Sequence, residues 1–155
     1  MTTTVHALPI PPIVKTVIVA CEPAAAFHVF TAEIGRWYPL DRYSIAPAID
    51  CQLEPHVGGR LYEIGIDGQE RLWGHVLEWN PPSGLALSWQ ARVSEDEAQR
   101  VDVSFRAVQG GTEVQLVHAG WERVKVGARE WRDKYEGGWV EVFERCFKGF
   151  ADKAG

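Results

Sequence analysis

Two histidines stand in apolar rows of the sequence, where a single polar group could act on a bound molecule. His75 alternates with Trp73 and Leu77, and His118 follows Leu116 at the end of another such row. A histidine in this setting can orient a ligand carbonyl or act as a general base. It can equally be a hydrogen-bonded residue of the core. Both interpretations remain open from the residues alone.

A carboxylate and a guanidinium flank one predicted hairpin. Glu63 and Arg71 lie on either side of Asp67-Gly68, a strong turn signal. As an exposed cross-strand pair they would contribute less than about 1 kcal/mol, and this interpretation is favoured. If the two side chains face inward instead, they form the polar anchor of a pocket.

The spacing of the other residues does not indicate a metal site, a phosphate site or a dinucleotide site. His6, His28 and His56 are scattered, and no His or Cys pair has metal-ligand spacing. No phosphate-binding or dinucleotide-binding glycine motif is present. The acids at 95–97 are typical of a solvated loop. We therefore expect no metal, no cofactor and no assignable catalytic residue.

Composition limits the class of protein. The chain has 155 residues, 46% of them hydrophobic, and a net charge of -5, which predicts one domain and argues against binding to nucleic acid or an acidic membrane. No apolar run is long enough to span a membrane. Cys21, Cys51 and Cys146 form an odd set without metal spacing, which is typical of thiols in a reducing compartment. We expect a cytoplasmic protein, with a homodimer possible but no residue that specifies its interface.

A long amphipathic helix is predicted from about Ala128 to about Asp152. Its apolar stripe has helical spacing and contains Trp131, Tyr135, Trp139, Val142, Phe143, Cys146, Phe147 and Phe150. Gly137 and Gly138 interrupt the stripe, and each disfavours the helix by about 1 kcal/mol relative to alanine. They indicate a tolerated kink, close backbone packing, or room left under the helix for another molecule.

The elements before this helix form a regular series. Residues 1–12 are rich in Thr and Pro and predict a loose arm, followed by a single domain over 13–155. A β-branched strand from Ile13 to Ala20 precedes two short helices, and six strands joined by Gly- and Pro-containing turns follow from Ile49 to His118. Alternating polarity predicts an antiparallel meander with one wet face, curled around the last helix. The fold class is α+β, with the order β-α-α-β6-α.

This order resembles the helix-grip fold of the START-like, Bet v 1-like superfamily, also called SRPBCC. Specific stretches resemble its subfamily related to the activator of heat-shock protein 90 ATPase. They are Val17-X-Val19 with Pro23 and Phe27, Gly58-Gly59-Arg60-Leu61-Tyr62-Glu63, Trp73-Gly74 with Trp79 and Pro81-Pro82, Leu85 with Trp89, Gly111-Thr112 through Gly120-Trp121, and Tyr135-X-Gly137-Gly138-Trp139.

The resemblance implies a cavity between the curved sheet and the last helix. Our first hypothesis is that a small hydrophobic or amphipathic molecule binds there. The residues expected to hold it are Trp37, Tyr62, Glu63, Trp73, His75, Trp89, Phe105, His118, Trp139, Phe143 and Phe147. The alternatives are a cyclase or hydrolase that acts on an aromatic or polyketide-like substrate in the same cavity, and a protein that stimulates a chaperone ATPase. The last is disfavoured because the single domain has no second module to clamp a partner.

Overall fold

The computed structural model describes residues 9–154. The elements in chain order are β1 (Ile13–Val19), α1 (Pro23–Thr31), α2 (Ile34–Trp37), β2 (Ala48–Leu53), β3 (Arg60–Gly65), β4 (Glu70–Asn80), β5 (Gly84–Trp89), β6 (Gln99–Val108), β7 (Gly111–Ala119) and the C-terminal helix α3. Helix α3 is α-helical over Ala128–Trp139, π-helical over Val140–Phe147 and α-helical again over Lys148–Asp152.

The strands form one seven-stranded antiparallel sheet in the order β1-β7-β6-β5-β4-β3-β2. Strands β2 to β7 are a meander, and β1 pairs with the last strand of it, from Ile13 opposite His118 to Val19 opposite Thr112. The sheet curls around α3. The predicted helix-grip fold and element order are therefore confirmed.

One half of the space between sheet and helix is filled by aromatic side chains. Phe30 contacts Trp37 and Phe147 at ring-centroid distances of 5.5 and 5.3 Å, and Phe143 stacks on Phe147 at 5.3 Å. Phe105 of β6 closes this cluster from the sheet side, with its ring 6.1 Å from Phe30. This half is solid core, so any open volume must lie nearer the start of α3.

The π-helical stretch was not predicted, and it has a geometric consequence. Trp139, Phe143, Phe147 and Ala151 are all buried and are spaced by four residues. Four residues exceed one α-helical turn of 3.6, so such positions drift around the axis of a regular α-helix. The wider turns of a π-helix reduce that drift and keep these side chains directed at the sheet.

The inward row expected for Trp73, His75 and Leu77 is wrong, because β-bulges interrupt β4. In β4 the register slips opposite β3 at Trp73 and opposite β5 at Leu77, and each extra residue reverses the facing of those that follow. Trp73 and Val76 therefore face the core, whereas Leu77 is 41% exposed. A bulge in β2, at Ile49, likewise leaves that side chain 67% exposed, whereas Cys51 and Leu53 of the same strand are buried.

Gly74 follows the first of these bulges and is required there by a close approach. A Cβ atom at this position would lie 1.8 Å from the carbonyl oxygen of Ser88 on β5. No side chain fits in that space without moving the β5 backbone. Glycine thus lets β4 and β5 stay paired beside Trp73.

The predicted arm is described only in part, because residues 1–8, which include His6, lie outside the described residues. Arg132 of α3 donates to the carbonyl oxygens of Pro11 and Pro12 at 3.1 and 3.2 Å, and Ile10 packs against the core. In the described part of the chain, no helix is long and apolar enough to cross a membrane.

Candidate functional site

A cavity of about 470 Å³ opens between the sheet and the first half of α3. Its walls come from three places: the loop after α2, the ends of β4 and β5 with the following turn, and one face of α3. The lining residues are Tyr38, Arg42, Tyr43, Ser44, Ile45, Trp73, Trp89, Ala91, Arg92, Trp131, Lys134, Tyr135, Gly138, Trp139 and Val142.

Aromatic rings in mutual contact form a large part of the wall. Trp89 lies 5.3 Å from Trp139 and 6.0 Å from Trp73, measured between ring centroids, and Tyr38 lies 4.8 Å from Trp73. Rings at these separations stabilise one another by about 0.5–1.5 kcal/mol per pair beyond the area that they bury. The wall is therefore a connected aromatic surface rather than a set of separate side chains.

Each of these tryptophans is fixed by a hydrogen bond from its indole nitrogen. The Nε1 atoms of Trp73, Trp89 and Trp139 donate to Glu63 Oε1 at 2.7 Å, to the Tyr135 hydroxyl at 3.1 Å and to His118 Nδ1 at 3.0 Å. An indole has only this one donor. Each ring is thus held by its polar edge, and part of each ring lines the cavity.

Glu63 is fully buried and anchors the loop that forms one side of the cavity. Its carboxylate accepts from the backbone N–H of Ile45 at 2.7 Å and of Ala46 at 3.0 Å, in addition to Trp73. Arg71 is paired to Glu63 in the ladder, but its guanidinium binds Asp67 instead. The expected exposed Glu63–Arg71 ion pair is therefore wrong, because Glu63 faces the core and its partners are N–H donors.

His118 is fully buried behind the cavity wall, and its hydrogen bonds define its tautomer. Since the Trp139 indole can only donate, Nδ1 of His118 must be the unprotonated acceptor. Its Nε2 then donates to Gln99 Oε1 at 3.2 Å. Burial lowers the pKa of His118 to about 3. The ring is a neutral support for Trp139, also covered by Trp121 at 4.2 Å.

Two tyrosine hydroxyls in the lining remain able to donate. Tyr135 accepts from Trp89 but has no acceptor for its own proton among residues 9–154, and within the same range the Tyr38 hydroxyl has no hydrogen bond. Burial raises the pKa of Tyr38 well above its ordinary value, and it raises the pKa of Tyr135 despite the nearby Arg92 charge. Both groups are therefore protonated donors at neutral pH.

The sequence-derived site residues divide into distinct locations. Trp73, Trp89 and Trp139 line the cavity, and Glu63 and His118 lie one layer behind it, bonded to Trp73 and Trp139. Trp37, Phe105, Phe143 and Phe147 belong to the solid aromatic core.

Tyr62 and His75 lie on the outer face of the sheet. The Tyr62 ring packs under the guanidinium of Arg60 at 4.2 Å, and its hydroxyl donates to Gln52 at 2.9 Å. His75 pairs with Arg60 across the ladder, and directly opposed residues share a face. The inward orientation expected for His75 is therefore wrong, because the bulge at Trp73 turns it over.

Sequence reasoning did not assign the remaining lining residues to the site. The helical spacing of Trp131, Tyr135 and Trp139 was a usable signal, since all three belong to one stripe and line the cavity. The loop residues Tyr38 and Tyr43 carry no periodicity that could have revealed their position. Gly138 lines the cavity whereas Gly137 is exposed, so the two glycines have different surroundings.

A curled antiparallel sheet closed by a long C-terminal helix defines a helix-grip domain of the START-like superfamily. Residues 20–149 match the family model described as activator of Hsp90 ATPase homolog 1-like protein. The chain belongs to this family, as its resemblance predicted. No curated protein matches the sequence significantly.

Several solved structures are similar over nearly the whole chain. An anthrahydroquino-γ-pyrone synthase, Txn09, complexed with SUM is 31% identical, covers 93% of this chain and 99% of its own, and has a TM-score of 0.64. The self-sacrificing resistance protein CalC from Micromonospora echinospora is 23% identical, with coverages of 94% and 97% and a TM-score of 0.68. An AHSA1-like protein from Aeromonas hydrophila is 21% identical, with coverages of 93% and 94% and a TM-score of 0.66. The last two likenesses concern the fold alone.

Proposed function

We propose that the protein binds a small, flat, largely apolar molecule in the cavity under α3. The observation that carries this proposal is an open volume of about 470 Å³, within the range of roughly 300–1,000 Å³ of small-molecule sites. Aromatic rings form a large part of its wall, so a ligand with a planar ring system would bury apolar surface against them. The free hydroxyls of Tyr38 and Tyr135 would orient a carbonyl or hydroxyl oxygen of that ligand.

Gly138→Leu is expected to abolish ligand binding without unfolding the protein. A Cβ atom at Gly138 would lie 3.5 Å from Tyr43 Cε1, an ordinary contact, and a longer side chain would extend into the cavity. Leucine also favours the helix over glycine by up to about 1 kcal/mol. The measurement is titration of the protein with anthracene-2-carboxamide, followed by probe fluorescence, beside urea unfolding of each variant.

Gly137→Leu is the matched control. A Cβ atom at Gly137 would meet no other heavy atom within 4 Å, so this variant gains the same helix propensity while its side chain points to solvent. It should bind the probe like the wild type. Equal probe affinity in the two leucine variants would refute a site under α3, and so would a wild type that binds neither this probe nor any molecule retained through gentle purification in native mass spectrometry.

A second candidate function is catalysis of the cyclase or hydrolase type on an aromatic or polyketide-like substrate in the same cavity. It is favoured by the 31% identity to the described synthase over 99% of that chain and by the two donating hydroxyls. Hydrogen-bond donors aimed at a carbonyl oxygen stabilise the negative charge that develops there, and an aromatic wall would hold the reacting groups together. His75, on the outer face, is not placed to take part.

If this second function operates, the double variant Tyr38→Phe/Tyr135→Phe should lower turnover of an aromatic polyketone by about 10²-fold or more. Its affinity for the same compound should fall less than its turnover, because the rings remain although the Trp89 indole loses its acceptor. Tyr62→Phe is the control, since the Tyr62 hydroxyl lies on the outer face and binds Gln52. Product formation is followed by mass spectrometry. Unchanged turnover in the double variant would remove these tyrosines from any catalytic role.

We further propose a reducing compartment such as the cytoplasm. Cys21, Cys51 and Cys146 are all free thiols in the structure, which supports this assignment. Burial raises the pKa of Cys51 strongly, so this thiol is inert at neutral pH.

A further inference from the structure

The charge on the cavity lining is opposite to that of the whole protein. The chain carries a net charge of -5. Yet the lining, which lies entirely within residues 9–154, contains the cations Arg42, Arg92 and Lys134 and no carboxylate. A local positive field of this kind attracts anionic molecules to the cavity, although the protein as a whole is acidic.

Arg42 does not contribute to this field, because it is neutralised. Its guanidinium forms an ion pair with Glu141 of α3, and the other oxygen of the same carboxylate accepts from the Tyr43 hydroxyl at 2.9 Å. These contacts hold the loop after α2 against the helix. The role of Arg42 is therefore to close the side of the cavity.

Arg92 and Lys134 have no carboxylate partner in the part of the chain that the structure describes. Arg92 occupies the left-handed region at φ 68°, and its guanidinium donates to the backbone carbonyl of Ser44, a neutral acceptor. The Lys134 ammonium lies 5.4 Å from the centroid of the Trp131 ring. Both side chains line the cavity and are also exposed, so they stand where it opens to solvent.

We infer that the ligand carries an anionic group, a carboxylate or phenolate, that binds Arg92 and Lys134 at the mouth while its planar aromatic body lies against the tryptophans. This inference rests on the proposed function and names the class of ligand. The two cations belong to different elements, the turn after β5 and helix α3, and both line the same cavity. Their contacts with Ser44 and Trp131 restrict the motion of both side chains.

The test compares two probes that differ only in charge, anthracene-2-carboxylate and anthracene-2-carboxamide, at pH 7.5. Lys134→Gln and Arg92→Gln each remove a charge but keep a hydrogen-bond donor, and the uncharged carboxamide probe reports any effect of losing the Arg92 contact with Ser44. Each variant should weaken binding of the carboxylate probe roughly two- to five-fold and leave the affinity for the carboxamide probe unchanged. Added salt should weaken only the carboxylate.

Arg145→Gln is the matched control, since Arg145 is an exposed cation of α3 outside the cavity lining. It changes the net charge by the same amount and should alter the affinity for neither probe. Equal losses for both probes in Lys134→Gln and Arg92→Gln would mean that these residues act by packing, and would overturn the inference while leaving the binding function intact. Failure of both probes to bind the wild type, with no molecule retained in native mass spectrometry, would overturn the binding function itself, and the inference with it.

Discussion

Glu63→Leu is expected to lower the free energy of unfolding by about 3–5 kcal/mol and to release the loop after α2 from the sheet. The variant keeps the volume of the side chain but leaves the N–H groups of Ile45, Ala46 and Trp73 without their acceptor. Each buried donor left unsatisfied costs about 1–3 kcal/mol. Because the loop side of the cavity depends on these bonds, probe affinity should fall together with stability.

Urea unfolding measures the loss of stability, and amide hydrogen exchange measures the release of the loop after α2. The amides of Ile45 and Ala46 should lose protection in Glu63→Leu, whereas those of β6 and β7 should retain the order seen in the wild type. The free energy of unfolding of Glu63→Gln should lie between those of the wild type and Glu63→Leu. Glutamine keeps one acceptor oxygen but turns an N–H₂ group toward a donor.

The control for Glu63 is Glu113→Leu in β7 of the same sheet. Glu113 pairs with Arg106 on the outer side at 2.7 Å, and a surface ion pair contributes about 0–1 kcal/mol. If Glu63→Leu were no less stable than Glu113→Leu, the carboxylate would not be the anchor of the loop.

The architecture could be predicted from the sequence because the spacing of apolar residues determines the type of each element and the face that it buries. The spacing of Trp131, Tyr135 and Trp139 required a helix with one apolar face, and the alternation in β5 to β7 required a sheet with one wet face. Those two facts are enough to lay the helix in the concavity and to bring Trp73, Trp89 and Trp139 toward it. The short turns between strands added the antiparallel order, and the family resemblance added the expectation of a cavity.

The facing of individual residues could not be predicted where the strands are irregular. A period of two assigns His75 and Leu77 to the row of Trp73, but the bulges at Trp73 and Leu77 reverse that assignment. A bulge leaves no sure mark in the sequence, since it arises from how two strands pair. Gly74, which must approach Ser88 closely, is the one local hint of the first bulge.

The polar partners of the site could not be predicted for a different reason. Glu63 is satisfied by N–H groups of Ile45 and Ala46, which belong to a loop without periodicity and which any residue type would supply. An isolated Glu beside an Arg across a hairpin therefore suggested an ion pair. Only the folded position of the loop after α2 distinguishes a buried anchor from a surface pair.

The neutral state of His118 predicts a specific loss of stability in acid. The folded-state pKa of His118 is lowered from 6.5 to about 3, so between these values the unfolded chain binds a proton that the folded protein does not. Stability from this residue is complete above about pH 6.5 and falls as the pH drops toward 3. Each unit of pH in that window lowers the free energy of unfolding by about 1.4 kcal/mol.

His118→Asn isolates this contribution. Asparagine can place an oxygen near the position of Nδ1 to accept from Trp139, but it does not titrate and it leaves part of the ring volume empty. At pH 7.5 the variant should be less stable than the wild type by about 2–4 kcal/mol. At pH 4.5 the difference should shrink by about 2–3 kcal/mol, because the wild type alone loses stability through His118.

The other acid-sensitive groups cancel when the free energies of unfolding of the wild type and His118→Asn are subtracted. Ion-paired carboxylates such as Asp67, whose pKa the Arg71 guanidinium lowers, also lose stabilisation on acidification, but they do so equally in both proteins. His28→Asn, at an exposed position of α1, should follow the wild type at every pH. A gap between wild type and His118→Asn that stayed constant from pH 7.5 to 4.5 would mean that the buried imidazole is not held neutral. Two-bond ¹H–¹⁵N correlation spectra provide an independent check, since they should place the only ring proton of His118 on Nε2, the atom that faces Gln99.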